Sequence, residues 1–191
     1  MQRGILARLC LAWVALAGLM ILPCSVQAQE SVDAHWIWLN AGNPAESAPA
    51  GTVWFRKEVK AAEPSTGVAT ILSDDEFTLW VNGKQVGQGK GQKPYRFSLS
   101  GIVGRGTNVF ALKVNNVEGK AGILMDAEIR GQSGRQTPAD TDATWKATST
   151  APQGTAWLEA GFDDKTWSAV KDLGVHAESP WKAIALSFGE L

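Results

Sequence analysis

Five side chains near the ends of two alternating segments are the residues of this sequence best suited to binding chemistry. Asp74 and Asp75 come just before one segment, and Asn115 and Asn116 end another. Carboxylates accept hydrogen bonds from hydroxyl groups and coordinate calcium, while amides both donate and accept hydrogen bonds. Antiparallel neighbours could bring the two strand ends to the same edge, so these four side chains are predicted to form one polar site. Trp80 is the fifth residue, a flat face on which a ring could stack.

Both polar pairs also have a purely structural interpretation. An Asp at a strand end commonly accepts hydrogen bonds from nearby backbone N–H groups in a turn, which would account for the Asp pair. Turn chemistry accounts equally well for the Asn pair and for Glu118 beside it. Trp80 is separated from Asp75 by several residues of extended strand at about 3.3 Å each. The sequence leaves the binding and the structural interpretations open.

The remaining candidates for catalysis do not form a recognisable motif. Asp163 and Asp164 are adjacent, whereas the paired carboxyls of a glycosidase stand about 5 to 9.5 Å apart across a bond. His35 and His176, the only histidines, are distant in sequence, and no G-x-S-x-G motif accompanies them. The glycines at 87, 89 and 91 lack the spacing of a phosphate-binding loop. The sequence therefore predicts a protein that is not an enzyme.

The element that carries Trp80 is predicted to be a β-hairpin. Phe77, Leu79 and Val81 alternate with polar or aromatic neighbours, as in a strand with one buried face. Asn82-Gly83 follows, the dipeptide that most readily takes positive φ at both central positions of a two-residue turn. The return strand begins after it, and the glycines at 87, 89 and 91 are predicted to break that strand and form a flexible exit.

Short β-rich segments with glycine-rich turns make up most of the remaining chain. We predict strands at residues 35–39, 52–60, 67–72, 95–99, 107–115 and 121–130, with renewed β propensity at 141–150. One helical turn is expected at 163–167, and no helix-period segment of a dozen residues follows the N-terminal region. This pattern predicts an all-β protein, an antiparallel β-sandwich.

The N-terminal 28 residues have the pattern of a secretory signal peptide. Arg3 and Arg8 precede an apolar run at 9–22, and Ala28 completes a small-residue cleavage motif. Cleavage is predicted before Gln29, leaving one domain at 29–191 that is exported to the periplasm or the extracellular space. The apolar run is short for a membrane span, so none is expected after processing. A lipid anchor on Cys24 is the alternative, although Pro23 fits that motif poorly.

The composition of residues 29–191 excludes several classes of function. Both cysteines, Cys10 and Cys24, precede residue 29, so no disulfide or thiol site is expected. Sixteen Lys and Arg are interspersed with nineteen Asp and Glu, which argues against nucleic-acid partners and anionic membrane surfaces. Eight tryptophans remain, most of them assigned to core packing. One or more of Trp38, Trp54 and Trp80 is expected to be exposed for binding.

An ordered set of aromatic, acidic and turn residues connects this chain with a known family. In chain order the set is Trp36-Ile37-Trp38, Phe55-Arg56-Lys57, Asp74-Asp75, Leu79-Trp80-Val81-Asn82-Gly83-Lys84, Gly106-Thr107-Asn108-Val109, Val114-Asn115-Asn116, Ala121-Gly122-Ile123-Leu124, Asp142-Ala143-Thr144-Trp145-Lys146, Trp157, Phe162-Asp163-Asp164-Lys165-Thr166-Trp167 and Pro180-Trp181. It resembles the galactose-binding-like jelly roll, the sugar-binding module of bacterial β-galactosidases and α-L-rhamnosidases. The resemblance implies a non-catalytic module that binds a carbohydrate or glycan through loops at one end of the sandwich. It also implies that a structural calcium ion is a possible cofactor.

Two other functions stay open at this stage. The fold could serve as a structural or protein-interaction module of the cell envelope that has lost sugar binding, with another envelope protein as its partner. A small hydrolase is the third possibility. A binding module should have an open hollow at the loop end lined by Trp, Asp or Asn. An interaction module should have a flat apolar patch, and a hydrolase should have two well-separated carboxyls in a cleft.

Overall fold

The computed structural model describes residues 34–184, so the predicted signal peptide, its cleavage site and both cysteines lie outside the described residues. The described part contains eleven strands and two single 3-10 turns. The strands are β1 (His35–Leu39), β2 (Gly51–Ala61), β3 (Ser65–Ser73), β4 (Glu76–Val81), β5 (Lys84–Lys90), β6 (Tyr95–Ser98), β7 (Gly106–Asn116), β8 (Ile123–Gly131), β9 (Gln136–Pro138), β10 (Lys146–Thr148) and β11 (Ser168–Val175). The 3-10 turns are Ala156–Leu158 and His176–Glu178. Within residues 34–184, no helix is long and apolar enough to cross a membrane.

The strands form two packed sheets in which the pairings are antiparallel. The front sheet has the order β5-β4-β7-β2-β10, and the back sheet has the order β11-β1-β8-β3-β6 with β9 beside β8. The first residues of β11 pair with β10 and its later residues pair with β1, so this strand joins the two sheets. The all-β, antiparallel sandwich of jelly-roll type predicted from the sequence is confirmed.

The main core lies between the sheets and follows the alternation of the strands. Phe110, Leu112 and Val114 point inward from β7 and pack in a cluster that also contains Ile71 and Met125 of the back sheet. One charged residue of β2 interrupts this face. The ammonium of Lys57 donates to the carboxylate of Asp142 at 2.8 Å and to the carbonyl of Asp140 at 3.1 Å.

The predicted hairpin is confirmed, but its exit differs from the prediction. Asn82 and Gly83 have φ of 51° and 76° and connect β4 to β5 directly. β5 then continues through Gly87 and Gly89, so these glycines do not break the strand. They allow the rings of β6 to lie against the backbone, because a Cβ on Gly89 would be 2.6 Å from Tyr95 and a Cβ on Gly87 would overlap Phe97.

Aromatic residues also cover part of each outer face of the sandwich. On the front sheet, the covering segment (residues 155–167) packs Trp157 and Trp167 against Ala111, with Trp54 and Trp80 partly buried beside them. On the back sheet, Trp181 stacks on Trp36 with ring centroids 4.3 Å apart. The expectation of an exposed tryptophan is therefore wrong for Trp38, which is 4% exposed, and neither Trp54 nor Trp80 is fully exposed.

Two segments near the C-terminus differ from the sequence prediction. Residues 163–167 form a hydrogen-bonded turn, closed by the N–H of Trp167 donating to the carbonyl of Asp164, in place of the expected helical turn. The strand that follows, β11, was not predicted. It begins directly after Trp167 and joins the two sheets.

Candidate functional site

The structure brings the predicted Asp and Asn pairs to the same end of the sandwich. Glu76 pairs with Asn115 in the register of β4 and β7, so Asp75 lies beside the end of β7. A carboxylate oxygen of Asp75 accepts from the N–H of Val117 at 2.6 Å, and its carbonyl accepts from the N–H of Gly91 at 2.7 Å. Asp75 therefore ties the β3–β4 turn to the segments that follow β5 and β7.

The carboxylate of Asp74 has hydrogen-bond partners from two separate segments of the chain. One of its carboxylate oxygens accepts from the side-chain amide of Gln92 at 2.6 Å and from the indole N–H of Trp181 at 2.7 Å. Burial raises the pKa of Asp74, and the negative charge of Asp75 adds to the rise, while the two donors oppose it. The carboxylate thus helps to hold the C-terminal Trp181 against this end of the fold.

The two asparagines face opposite sides of the sheet and have different roles. Asn116 is 2% exposed, and its amide nitrogen donates to the carbonyls of Ala48 at 3.2 Å and Pro49 at 3.0 Å. These bonds fix the loop before β2, so Asn116 has a structural role there, and its ligand contact stays a prediction. Asn115 points to the outer face, where its side-chain oxygen accepts from the hydroxyl of Thr52 at 3.3 Å.

Trp80 is not brought to the loop end. It lies on the outer face of the front sheet, paired with Ala111, and makes an edge contact with Trp157 at 5.7 Å between ring centroids. Its position under the covering segment leaves it partly buried. The structure therefore gathers four of the five predicted residues at one end and places Trp80 further along β4.

Asn115 lines an open groove, here called the front groove, on the outer face of the front sheet beside this end. The groove has a volume of about 550 Å³, within the range of small-ligand sites. Seven polar lining residues share the outer face of β2, β4, β5 and β7, and Phe77, Gly89 and Tyr95 complete the lining from the inner side of the sheet and from β6. In chain order the lining residues are Thr52, Glu76, Phe77, Thr78, Gln88, Gly89, Lys90, Tyr95, Lys113 and Asn115.

The strand register explains why these side chains meet. Glu76 pairs with Asn115 on one side and with Lys90 on the other, which makes a first row across three strands. Thr78 pairs with Lys113 and with Gln88, which makes a second row. Partners in an antiparallel pair point to the same face, so both rows of side chains project into the groove. With Thr52 and Tyr95, the groove thus combines one carboxylate, two ammonium groups, two amides and three hydroxyls.

Tyr95 forms a fixed aromatic wall at the edge of the groove. Its hydroxyl donates to the carbonyl of Lys90 at 2.9 Å and accepts from the N–H of the same residue at 3.1 Å. The ring contacts Phe77 edge-on at 5.5 Å and lies 5.3 Å from the ammonium of Lys93. Because Lys90 holds the hydroxyl and Phe77 contacts the ring, the ring of Tyr95 is suited to contact the apolar face of a ring-shaped ligand.

A second, smaller groove of about 330 Å³ lies beside the covering segment, and its charged groups already bind one another. Arg56, 2% exposed, donates to the carboxylate of Asp164 at 2.7 Å, to the carbonyls of Trp157 and Glu159, and to Glu58. Burial works against ionisation of Asp164, but Lys146 and Arg56 outweigh it and lower its pKa. This groove is a structural junction.

Side chains of residues 34–184 do not provide an evident metal site. No group of three His, Asp or Glu side chains in this part of the chain could hold a metal ion. At the loop end, the side-chain oxygen of Asn116 is buried and has no hydrogen-bond partner among the described residues. One such oxygen does not make up the oxygen-rich shell that calcium requires. Structural calcium therefore stays a prediction.

Sequence reasoning missed most of the front groove. The alternation placed Lys113 beside Asn115 on one face of β7, and Thr78 beside Trp80 on one face of β4. The sequence therefore indicated which residues share a face within each strand. The register between strands, which sets Glu76 opposite Asn115 and Thr78 opposite Lys113, is a long-range property that alternation does not give.

The comparisons with known proteins identify the fold. No family model matches the chain. An α-L-rhamnosidase of Streptomyces avermitilis is 32% identical over 159 residues, a match covering 78% of this chain but 15% of the rhamnosidase. Its crystal structure in complex with L-rhamnose superimposes with a TM-score of 0.72 and 30% identity over 79% of this chain and 16% of that chain. The chain has the galactose-binding-like fold.

Two further structures support this assignment. The Pleurotus ostreatus lectin in complex with GalNAc matches the module with a TM-score of 0.69 and 26% identity, over 79% of this chain and 46% of the lectin. A rhamnosidase from Bacillus sp. GL1 matches with a TM-score of 0.66 and 25% identity, over 81% and 20% of the two chains. The predicted resemblance is confirmed, and the module corresponds to a small part of each rhamnosidase.

Proposed function

We propose that the chain is an exported, non-catalytic carbohydrate-binding module whose ligand lies in the front groove. The observation that carries the proposal is the lining of that groove. Amide, carboxylate and hydroxyl groups suit sugar hydroxyls, and the ring of Tyr95 stands at one edge. The similarity to a rhamnosidase structure complexed with L-rhamnose and to a lectin structure complexed with GalNAc supports the same ligand class.

The proposal of a non-catalytic role rests on the number of carboxyl groups in the front groove. Of the described residues that line it, Glu76 alone carries a carboxyl group. Glycoside hydrolysis by the usual mechanisms needs two carboxyls about 5 to 9.5 Å apart. The match to the Streptomyces avermitilis rhamnosidase covers 15% of that enzyme, which supports a role as an accessory module.

The alternative, an interaction module of the cell envelope, predicts a flat apolar patch. Among residues 34–184, Val117 is the only large hydrophobic side chain that is clearly exposed, at 54%. A single exposed apolar side chain is normal on a protein surface and does not form a docking patch. The surface of the described residues therefore favours sugar binding over this alternative.

Export rests on the N-terminal pattern of the sequence. The mature protein is expected to begin at Gln29, after the small-residue motif that ends at Ala28. Mass spectrometry of the exported protein gives its first residue directly. A retained leader, or a lipid on Cys24, would contradict this part of the proposal.

Calorimetry with L-rhamnose and GalNAc tests the binding site. Asn115→Ala and Glu76→Gln remove hydrogen-bonding groups from the groove, and a hydrogen bond to a charged group is worth about 1.5–3 kcal/mol. Binding by Glu76→Gln is therefore expected to weaken by about ten-fold or more, and Asn115→Ala is expected to weaken it less. Glu178→Gln, an exposed carboxylate outside the groove, serves as the control and should bind normally.

Two outcomes would contradict the proposal in different ways. If Asp75→Ala abolishes binding while both groove variants bind normally, the ligand lies at the loop end. If the wild-type protein binds no sugar, with or without added calcium, the envelope-module alternative is favoured. Circular dichroism of each variant must first show that the fold is intact.

A further inference from the structure

We infer that the front groove selects an acidic sugar, whose negative group is bound by the ammonium of Lys113. This inference rests on the proposed function and names the class of ligand for the same site. It starts from the position of Lys113, which lies on the outer face of β7 between two cross-strand neighbours. These are Trp54 of β2 and Thr78 of β4. Lys113 thus stands on a central strand of the groove floor, with strands on both sides.

Lys113 is the charged group of the groove that the protein leaves without a partner. Lys90 and Glu76 form an ion pair at 3.7 Å, so these two charges offset each other. Lys113 makes neither a hydrogen bond nor an ion pair within residues 34–184, and its side chain is exposed. The groove therefore carries one uncompensated positive charge, although the whole chain has a net charge of −1.

A neutral sugar would not use this charge fully. A hydroxyl can accept a hydrogen bond from an ammonium, but a carboxylate or sulfate also gains charge attraction, and such bonds are about twice as strong. Asn115, Thr78 and Gln88 lie around Lys113 in the two rows of the groove. They are placed to bind hydroxyls on the same sugar ring. The combination of one anion-binding point with several hydroxyl-binding groups fits a uronate or a sulfated sugar unit.

Lysine does not separate carboxylate from sulfate by geometry, because its ammonium acts as a point charge with rotatable donors. The experiment therefore needs both anions and a neutral ligand of matched shape. We choose a short oligogalacturonate, its fully methyl-esterified form and a sulfated galactose oligosaccharide. The esterified form keeps the hydroxyls and the ring while removing the negative charge.

The test is calorimetry of the wild-type protein and three variants at low and high salt. The wild type should bind oligogalacturonate or the sulfated oligosaccharide at least ten-fold more tightly than the methyl ester. Lys113→Gln should remove that preference, and Lys113→Arg should restore most of it. Lys84→Gln removes an exposed charge at the opposite end of β5, outside the groove, and should leave the preference intact. Salt should weaken the preference in the wild type.

The outcomes separate this inference from the proposed function. Equal binding of the acidic and esterified oligosaccharides by the wild type overturns the acidic-sugar inference, while sugar binding itself stands. A preference that survives in Lys113→Gln also overturns it, because another group would then hold the anion. If the wild type binds none of the three oligosaccharides and neither L-rhamnose nor GalNAc, both the inference and the proposed function are overturned. Preference for one anion over the other identifies whether carboxylate or sulfate is the natural group.

Discussion

Asp140 lies in a partly buried position that disfavours the ionised form of its carboxyl group. Burial raises the pKa of Asp140 to about 6, and the carboxyl of Asp126 adds to the rise through charge and a hydrogen bond. The N–H of Ala127, which donates to Asp140 at 2.8 Å, and the ammonium of Lys57 oppose the rise. At neutral pH the folded protein therefore holds an ionised Asp140 at a cost in stability.

We predict that Asp140→Asn stabilises the domain above pH 6. The folded pKa of about 6 lies above the ordinary value of 3.8. The folded state therefore binds the proton more tightly, and stability falls as pH rises from about 4 to 6. The amide keeps an oxygen for Ala127 and removes the charge. The gain at pH 7 should be about 1 kcal/mol after allowance for solvent screening.

Urea melts of wild type and Asp140→Asn at pH 4.0 and 7.0 measure this effect. The two proteins should be closely similar at pH 4.0 and should diverge by pH 7.0. Asp172→Asn, an exposed carboxylate paired with His35, is a control that should not reproduce the pattern. If Asp140→Asn is less stable than the wild type at pH 7.0, the assigned electrostatics are incorrect.

Arg56 ties the covering segment to β2 through several hydrogen bonds. It is 2% exposed and donates to two carbonyls of that segment and to the carboxylate of Asp164. Arg56→Leu removes all of these donors and leaves buried acceptors unpaired. We expect a loss of about 3–5 kcal/mol in the free energy of unfolding.

An exposed arginine provides the matched control for Arg56. Arg130 pairs with Glu128 at 2.7 Å, and its side chain is 52% exposed. Arg130→Leu should change stability by less than about 1 kcal/mol, because exposed ion pairs contribute little. Denaturant melts of both variants give the comparison. Equal losses of stability in the two variants would show that the buried hydrogen bonds of Arg56 contribute no more than an exposed ion pair.

Residue-level prediction from the sequence succeeded for strand faces and failed for burial. Alternation shows that Asn115 and Asn116 face opposite sides, but not which side a distant loop covers. Asn116 is buried because Ala48 and Pro49, nearly seventy positions earlier, supply its acceptors. Trp38 is buried against Phe55 of another strand. Such contacts depend on the packing of separate elements, which a local pattern cannot give.

At the scale of elements, the β4–β5 hairpin depends on its two-residue turn. Gly83 has φ of 76°, and a Cβ there would overlap the carboxylate of Glu159. Gly83→Val should cost about 1 kcal/mol or more, since a β-branched residue resists positive φ. Gly154, with φ of 62° and open space around it, is the control.

Denaturant melts of Gly83→Val and Gly154→Val provide the measurement for this prediction. Gly154 lies in an unpaired loop that can relax, so its variant should lose less stability than Gly83→Val. Equal stability of Gly83→Val and the wild type would mean that the Asn-Gly turn does not fix the hairpin.

Two elements were harder to predict from the sequence. β5 continues through Gly87 and Gly89 because rings from β6 need the space, and β11 is defined by its partners in both sheets.

At the scale of the whole molecule, the sandwich was predictable and the binding surface was only partly so. Most strands alternate clearly enough to fix the fold class, and the ordered motifs matched a known module. The front groove instead depends on the registers among β2, β7, β4 and β5, which set its polar side chains opposite one another. These are properties of the assembled sheet.

The most direct test of the account is to locate a bound sugar by NMR. L-rhamnose, GalNAc and an oligogalacturonate are titrated into ¹⁵N-labelled protein, and the shifts of backbone amides are followed. Amide NMR detects millimolar binding, so weak affinity does not prevent the measurement. The account predicts saturable shifts centred on Thr78, Gln88 and Lys113 of the front groove. Shifts confined to the loop end at Asp75, Gly91 and Val117, or no saturable shifts with any of the sugars, would contradict it.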